Sequence, residues 1–295
     1  MHRRPATPPD PVTHDPATVD RAHPPTLHAF TFESDGHRLL GCIYVANGPG
    51  PHPTVLLLHG CPGNERNLDL AHALRRCGFN VALVHYRGAW GSGGTFSIAG
   101  AAADVPAALA FLRREATAEA YRIDAERIVP VGHSMGGFVA LLAAAADERV
   151  PAVAGLAAFN FGLHARLMRQ VPAVRAQTLA ELGPLMPPLR GATAEGLVDE
   201  MLARSPDWNL VDRVAALKDR PVLLVAAEDD ETAVPLLHHR PLAEAFSRTG
   251  AGALTTAAFE DDHLFSATRV GLARTVVRWA SSALFPHPNP AQTAP

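Results

Sequence analysis

The sequence predicts an α/β protein with a mostly parallel central sheet and helices on both faces. From residue 27 onward, strand-like and helix-like patterns alternate along the 295 residues. The run TVLLLHG at 54–60 is continuously apolar, which is typical of a strand buried on both faces of a parallel sheet. Because parallel strands are joined by helical crossovers that pack on the sheet, this alternation predicts helices on both sides.

The individual elements follow in order along the chain. Strands at 28–33 and 38–46 flank a turn at 34–37, and the strand at 54–60 precedes a helix that Gly78 ends. The remaining predicted strands lie at 80–86, 127–133, 153–159, 221–228 and 253–259, and the remaining predicted helices of the body at 100–115, 135–146, 236–249 and 264–284. Pro130 lies inside a predicted central strand, where a proline removes a donor from the ladder.

One segment interrupts the alternation. Roughly fifty residues, 160–212, separate two strands, and they contain helix-like patches cut by several prolines. We expect a helical cap at 161–206, inserted between the two parts of the core at 27–160 and 207–285. The Pro-rich arm at 1–26 and the tail at 286–295 are predicted to be disordered.

Composition excludes several classes of function. A net charge of −3 gives no basic footprint for nucleic acid or an acidic membrane. The sequence has no signal-peptide pattern and no long apolar span, so we expect a soluble, cytoplasmic protein. Its three cysteines form no CxxC pair, which argues against a disulfide framework or a zinc site. No cofactor or metal is expected.

A G-x-S-x-G motif lies where a predicted strand meets a predicted helix. It runs Gly132-His133-Ser134-Met135-Gly136. A nucleophilic serine needs such a tight turn so that its hydroxyl projects above the sheet, and glycines on either side allow close packing. The helix that follows also favours developing negative charge at its N-terminus. The motif predicts that Ser134 is a nucleophile.

A second loop is a candidate for binding the oxyanion of the transition state. His59-Gly60-Cys61-Pro62-Gly63 follows the strand at 54–60. Acyl transfer needs two donors aimed at this oxygen. We expect the backbone N–H groups of Met135, after the nucleophile, and Cys61, in this loop, to provide them.

The general base and its acid are expected late in the chain. His263 lies just past the last predicted strand, at the carboxyl edge of the sheet where ligands bind in open α/β folds. The turn after the preceding strand offers Glu228, Asp229, Asp230 and Glu231 as the acid that orients the imidazole. The position of the acid is therefore defined, while its identity stays open among these four.

These motifs resemble the α/β-hydrolase superfamily, and most of all its prolyl-oligopeptidase-like and dienelactone-hydrolase-like bacterial members. The segments HGCPGNERNLDLA, HYRGAWGSGGTFS, RIVPVGHSMGG, the acidic turn and the ending from DDHLFS to RWA carry the resemblance, which spans residues 30–284. It implies the α/β-hydrolase fold and a catalytic triad of Ser134, Asp230 and His263. It also implies an oxyanion hole formed by the amides of Cys61 and Met135.

Two positions depart from that pattern. The superfamily usually has glycine three residues before the acid, where this chain has Ala227, and it has an apolar residue where Pro130 stands. The first departure leaves Asp229 as a competitor for the role of Asp230.

The resemblance implies a serine hydrolase that cleaves a small-molecule carboxylic ester through an acyl-enzyme. A peptidase, an amidase or a thioesterase could use the same triad. A non-catalytic binding protein on this fold is the contrasting class, and it would be expected to have lost a member of the triad.

Overall fold

The computed structural model describes residues 10–16, 18–250 and 253–285. Within them, eight strands form one sheet. The strands are β1 (Thr26–Ser34), β2 (His37–Val45), β3 (His52–Leu58), β4 (Asn80–Val84), β5 (Ile123–His133), β6 (Val153–Leu156), β7 (Val222–Ala227) and β8 (Leu254–Phe259).

The strand order is β1-β2-β4-β3-β5-β6-β7-β8. Strand β2 runs antiparallel to β1 and β4, and all the other neighbours are parallel. The order leaves β5 in the interior of the sheet, between β3 and β6. The carboxyl ends of the parallel strands therefore meet at one edge, where loops from distant parts of the sequence come together.

Ten α-helices join and flank these strands in the described residues. They are α1 (Leu68–Arg76), α2 (Ile98–Leu112), α3 (Glu115–Tyr121), α4 (Met135–Ala146), α5 (Phe161–Gln170), α6 (Pro172–Leu182), α7 (Ala194–Arg204), α8 (Pro235–His238), α9 (Arg240–Arg248) and α10 (Arg269–Leu284). The sequence did not predict α3 as a separate helix. The predicted helix at 236–249 is divided into α8 and α9, and the last helix begins at Arg269 rather than at 264.

Both faces of the sheet are buried along its inner strands, such as β3. Leu56 and Leu58 of β3 join the apolar cluster that contains residues of α2 and α4, whereas Val55 and Leu57 join the cluster that contains residues of α1 and α10. Successive side chains of a strand point to opposite faces, so a strand covered on both sides must be apolar at every position. The mostly parallel sheet with helices on both faces is confirmed.

Pro130 lies inside β5, opposite Leu56 of β3. The amide of Ser134 donates to the carbonyl of Leu156 in β6, and backbone amides two residues apart point to the same side of a strand. The missing amide of residue 130 would therefore face β6, where pairing begins only opposite Val131. The proline therefore removes no hydrogen bond between β5 and β6.

The segment between β6 and β7 contains α5, α6 and α7, with a 3₁₀ turn at Gly183–Leu185. Its apolar side chains, such as Met168 and Met201, belong to the same buried cluster as those of α2 and α4. The carboxylate of Glu200 also accepts hydrogen bonds from the amides of Ile98 and Ala99, at 2.9 Å each. The segment is thus packed firmly onto the body.

The N-terminal segment differs from the predicted disordered arm in its described part. Val12 is buried against the cluster that contains α1 and α10, the carboxylate of Asp10 lies 2.7 Å from Arg274, and Arg76 donates to the carbonyl of Pro11. One apolar side chain, one ion pair and one hydrogen bond to the backbone thus attach a stretch whose composition alone predicts disorder. Residues 1–9 and 286–295 lie outside the described residues. No helix in the described part of the chain is both long and apolar enough to cross a bilayer.

Candidate active site

Ser134 lies on the sharp turn between β5 and α4. Its backbone has φ 57° and ψ −121°, a strained conformation for a residue with a side chain. Hydrogen bonds hold the turn, because the Ser134 amide donates to Leu156 at 2.9 Å and its carbonyl accepts from the amides of Phe138 and Phe159. Such strain persists only where the surrounding structure enforces it.

The two glycines of the motif allow the turn to form. A Cβ atom on Gly132 would overlap the carbonyl oxygen of Gly136, and a Cβ atom on Gly136 would overlap the carbonyl oxygen of Leu58. The clashes involve backbone rather than flexible side chains, so they could not be relieved locally. The absence of a Cβ at Gly136 therefore lets the serine turn pack directly onto β3, and its absence at Gly132 lets the start of α4 pack against β5.

His263 and Asp230 are joined by a hydrogen bond. The Nδ1–H of His263 donates to Oδ2 of Asp230 at 2.7 Å, and the carboxylate is almost fully buried. The other oxygen, Oδ1, accepts from the amides of Thr232 and Ala233 at 2.8 and 2.6 Å. These contacts fix the orientation of the carboxylate and place the hydrogen of the neutral imidazole on Nδ1, which leaves Nε2 free to accept a proton.

Asp229 occupies a different position. It is exposed, and its amide donates to the carbonyl of Asp261 at 3.1 Å. Glu228 and Glu231 are exposed as well. Of the four acidic residues in the turn, the structure brings Asp230 to the imidazole.

Two residues before His263, Asp261 holds the histidine loop in place. Its buried carboxylate accepts from the Thr268 hydroxyl at 2.6 Å and from the amides of Ala267 and Thr268 at 3.0 and 2.8 Å. These bonds keep residues 264–268 in a loop, which explains why the last helix starts later than predicted. The sequence analysis missed this residue, although its place in the run of acids before His263 was a signal.

His133 connects the serine turn to the histidine loop. Its Nε2–H donates to the carbonyl of His263 at 2.7 Å, and the two imidazole centroids are 4.8 Å apart. Burial lowers the pKa of His133 to about 3, so the ring is neutral at physiological pH. No hydrogen bond joins Ser134 Oγ to the His263 ring among the described residues. Catalytic hydrogen bonds are often long in unliganded enzymes and tighten when substrate binds.

The loop after β3 packs against the serine turn. A Cβ atom on Gly60 would lie 3.0 Å from the Cβ of Ser134. His59 Nδ1–H donates to the carbonyl of Gly60 at 2.7 Å, and Trp90 Nε1–H donates to the carbonyl of Pro62 at 2.7 Å. Side chains therefore hold the loop on both sides of Cys61, whose amide is the predicted donor.

The orientation of the Cys61 amide follows from the bond made by His59. In a trans peptide the carbonyl and the N–H point in opposite directions. Because His59 holds the Gly60 carbonyl, the N–H of Cys61 points away from His59. The amide of Met135, at the first position of α4, has no acceptor within the helix. Neither of the two predicted donor amides has a backbone acceptor within the described residues.

Cys61 itself is poorly suited to nucleophilic attack. Burial raises the pKa of its thiol to about 12, so it carries no thiolate at neutral pH. Within the described ranges, no three His, Cys, Asp or Glu side chains cluster as a metal site would require.

Comparison with known proteins agrees with this architecture. The sequence model of the Alpha/beta hydrolase family matches residues 55–280. Two curated relatives, both described as uncharacterized proteins of Mycobacterium tuberculosis, are 36% identical over 119 residues, which is 40% of this chain and 40% of each relative. The match therefore spans well under half the length of these relatives.

Solved structures share the fold at low sequence identity. Est1E from Butyrivibrio proteoclasticus superposes with a TM-score of 0.63 at 19% identity, over 87% of this chain and 99% of that one. The Pyrococcus furiosus esterase gives 0.66 at 15% identity, over 92% and 97%. The Pyrococcus horikoshii acylaminoacyl peptidase gives 0.68 at 15% identity, over 90% of this chain and 42% of that one. Because the family's sequence model matches well over half of its length, the chain belongs to the alpha/beta hydrolase family.

Proposed function

We propose that the protein is a serine esterase that uses Ser134 as nucleophile, His263 as general base and Asp230 as the acid that orients it. The observation that carries this proposal is the 2.7 Å hydrogen bond from His263 to the buried carboxylate of Asp230, at the same sheet edge as the strained turn of Ser134. Est1E and the Pyrococcus furiosus esterase are precedents for an ester as the bond cleaved, and the acylaminoacyl peptidase is a precedent for the alternative, an amide.

The reaction proceeds in two stages. Ser134 Oγ attacks the ester carbonyl carbon while His263 Nε2 takes its proton, and the amides of Cys61 and Met135 stabilise the oxyanion. The tetrahedral intermediate then collapses, the C–O bond to the alcohol breaks, and His263 returns the proton to the leaving oxygen. Water, deprotonated by the same imidazole, attacks the acyl-enzyme and releases the carboxylic acid and the free serine.

We further propose that residues 161–206 act as a cap over this site. Helix α5 begins at Phe161, two residues after Phe159, whose amide donates to the Ser134 carbonyl at 3.2 Å. The insertion therefore starts beside the nucleophile. A cap that begins there limits which acyl and alcohol groups reach the serine.

The proposed nucleophile is tested by labelling and turnover. Ser134→Ala should abolish labelling by a fluorophosphonate probe and lower the hydrolysis of a 4-nitrophenyl ester by about 10⁴-fold or more, because the attacking oxygen is lost. Ser247→Ala, which changes an exposed serine on α9, is the matched control and should label like the wild type. Residual activity within tenfold of the wild type in Ser134→Ala would disprove the assignment. Cleavage of amide substrates at rates equal to those of esters would identify an amidase instead.

A further inference from the structure

Three aromatic rings that the proposed mechanism does not use lie beside the nucleophile. Phe159 follows β6, and His164 and His238 belong to α5 and α8. The Phe159 ring centroid is 4.2 Å from that of His238 and 4.8 Å from that of His164, and the two imidazoles stack at 5.7 Å. The Phe159 amide donates to the Ser134 carbonyl at 3.2 Å, which places this ring cluster next to the reacting serine.

The hydrogen-bond partners of His238 define its tautomer. Its Nδ1 accepts from the backbone amide of Asn160 at 2.9 Å, so the hydrogen is on Nε2. Burial lowers the pKa of His238 to about 3, with the His164 and His263 charges adding to the effect, and the ring is therefore neutral. Among the described residues Nε2–H has no acceptor, so His238 offers one unused donor.

His164 offers the complementary group. Its Nε2 lies 2.8 Å from the Thr178 hydroxyl, whose own hydrogen is donated to the carbonyl of Val174. Thr178 therefore accepts from His164, the hydrogen is on Nε2, and Nδ1 is an acceptor. That Nδ1 atom is buried and has no partner within the described residues. Burial lowers the pKa of His164 to about 4, so the acceptor persists at neutral pH.

One donor and one acceptor are the complement of a hydroxyl group, which both donates and accepts. Phe159 and His164 are the partly exposed rings of the cluster, and an aromatic ring packs favourably against such rings by offset or edge contacts. Phe159 and His164 are each half-buried, so the cluster keeps an accessible side. Buried polar atoms without partners are uncommon in folded proteins and call for an explanation.

We propose that the ring cluster is a subsite for a hydroxylated aromatic ring of the ester substrate, with His238 donating to the hydroxyl and His164 accepting from it. This inference rests on the proposed esterase function. It makes His238 and His164 determinants of substrate specificity.

The test uses pairs of esters that differ only in a ring hydroxyl, placed on the acyl side in one pair and on the alcohol side in another. For the wild type, we expect kcat/KM to favour the hydroxylated member of one pair by about tenfold or more, because the unhydroxylated ring leaves both histidine groups unpaired. His238→Asn keeps an acceptor for the Asn160 amide but lacks Nε2, and His164→Gln keeps a donor for Thr178 but lacks Nδ1. Each variant should lower the preference roughly five- to tenfold.

The ratio of the kcat/KM values for the two esters of a pair distinguishes recognition of the hydroxyl from a structural role of the histidines. If a variant only loosened the cap, or if the cluster only bound a water molecule, kcat/KM would change by the same factor for both esters of a pair. That result would overturn the proposal. Leu236→Ala, at an exposed side chain of α8, should leave the ratio as in the wild type. Fluorophosphonate labelling is measured in parallel. Normal labelling with no hydroxyl preference overturns the subsite alone, and absent labelling overturns the esterase function together with it.

Discussion

At the residue scale, the acid of the proposed triad is distinguished from its neighbour by burial. Asp230 is 4% exposed and bonded to His263, whereas Asp229 is exposed to solvent. Adjacent residues leaving β7 point in different directions, so only one of the two can face the imidazole. The resemblance implied Asp230 as the acid, and this geometry agrees with that prediction. Alternation along the strand by itself could not identify which of the two aspartates faces inward.

Asp230→Asn should lower kcat by about 10⁴-fold, because the amide favours the wrong imidazole tautomer and cannot stabilise the imidazolium. Asp229→Asn removes an exposed charge and should stay within roughly tenfold of the wild type. Steady-state hydrolysis of one ester by both variants checks the ranking. If Asp229→Asn were the more damaging change, Asp229 would be the residue that orients His263.

His59 is expected to act as a positioning residue for the proposed oxyanion hole. It holds the Gly60 carbonyl, and with it the direction of the Cys61 amide. His59→Leu should therefore lower kcat by about 10- to 100-fold with a smaller change in KM, a fraction of the effect of losing an oxyanion donor outright. His59→Asn can still donate from near the Nδ1 position and should recover much of the loss. Equal damage in both variants would indicate a packing role instead.

At the element scale, the junction of β5 and α4 depends on the absence of side chains. Gly136→Ala would drive a methyl group into the backbone of β3 and should destabilise the protein by about 3 kcal/mol or more. Gly183 provides the matched control, since its φ is −48° and an added Cβ would meet no atom within 4 Å. Gly183→Ala should be neutral or should stabilise by roughly 0.5–1 kcal/mol. Urea unfolding of both variants measures the difference, and similar free energies of unfolding would contradict the steric argument.

At the scale of the whole molecule, buried neutral histidines should make the fold sensitive to acid. Burial lowers the pKa values of His59, His133 and His238 from 6.5 to about 3. Below pH 6.5 the unfolded chain binds protons that the folded chain excludes, so the free energy of unfolding falls as pH falls through the window from about 6.5 to about 3. Burial also lowers the pKa values of His85 and His164 to about 4, and the five groups together predict a loss of roughly 6 kcal/mol between pH 6 and pH 5.

Urea unfolding at pH 7, 6 and 5 measures this dependence. His238→Asn removes one of the five groups and should reduce the slope by about one fifth. A free energy of unfolding that stays constant from pH 7 to pH 5 would show that these rings accept protons in the folded state.

Much of the molecule could be predicted from local pattern. The continuous apolar run around Leu56 predicted a strand covered on both faces, because each side chain there must avoid water whichever way it points. The glycines around Ser134 predicted the sharp turn, since only residues without a Cβ fit between the backbones that cross there. Chain order then placed His263 and the acidic turn at the same sheet edge.

Tertiary contacts decided what local pattern could not. Asp230 and Asp229 are chemically identical, and only the fold determines which carboxylate is buried beside His263. The last helix begins at Arg269 because the Asp261 carboxylate holds the preceding residues in a loop. The described part of the N-terminal arm is attached through Asp10 and Arg274, which are 264 residues apart in sequence. The sequence by itself determined the elements whose burial leaves a local pattern, such as the continuous apolar run of β3. Contacts between groups distant in sequence leave no periodic trace, and these were decided only when the chain folded.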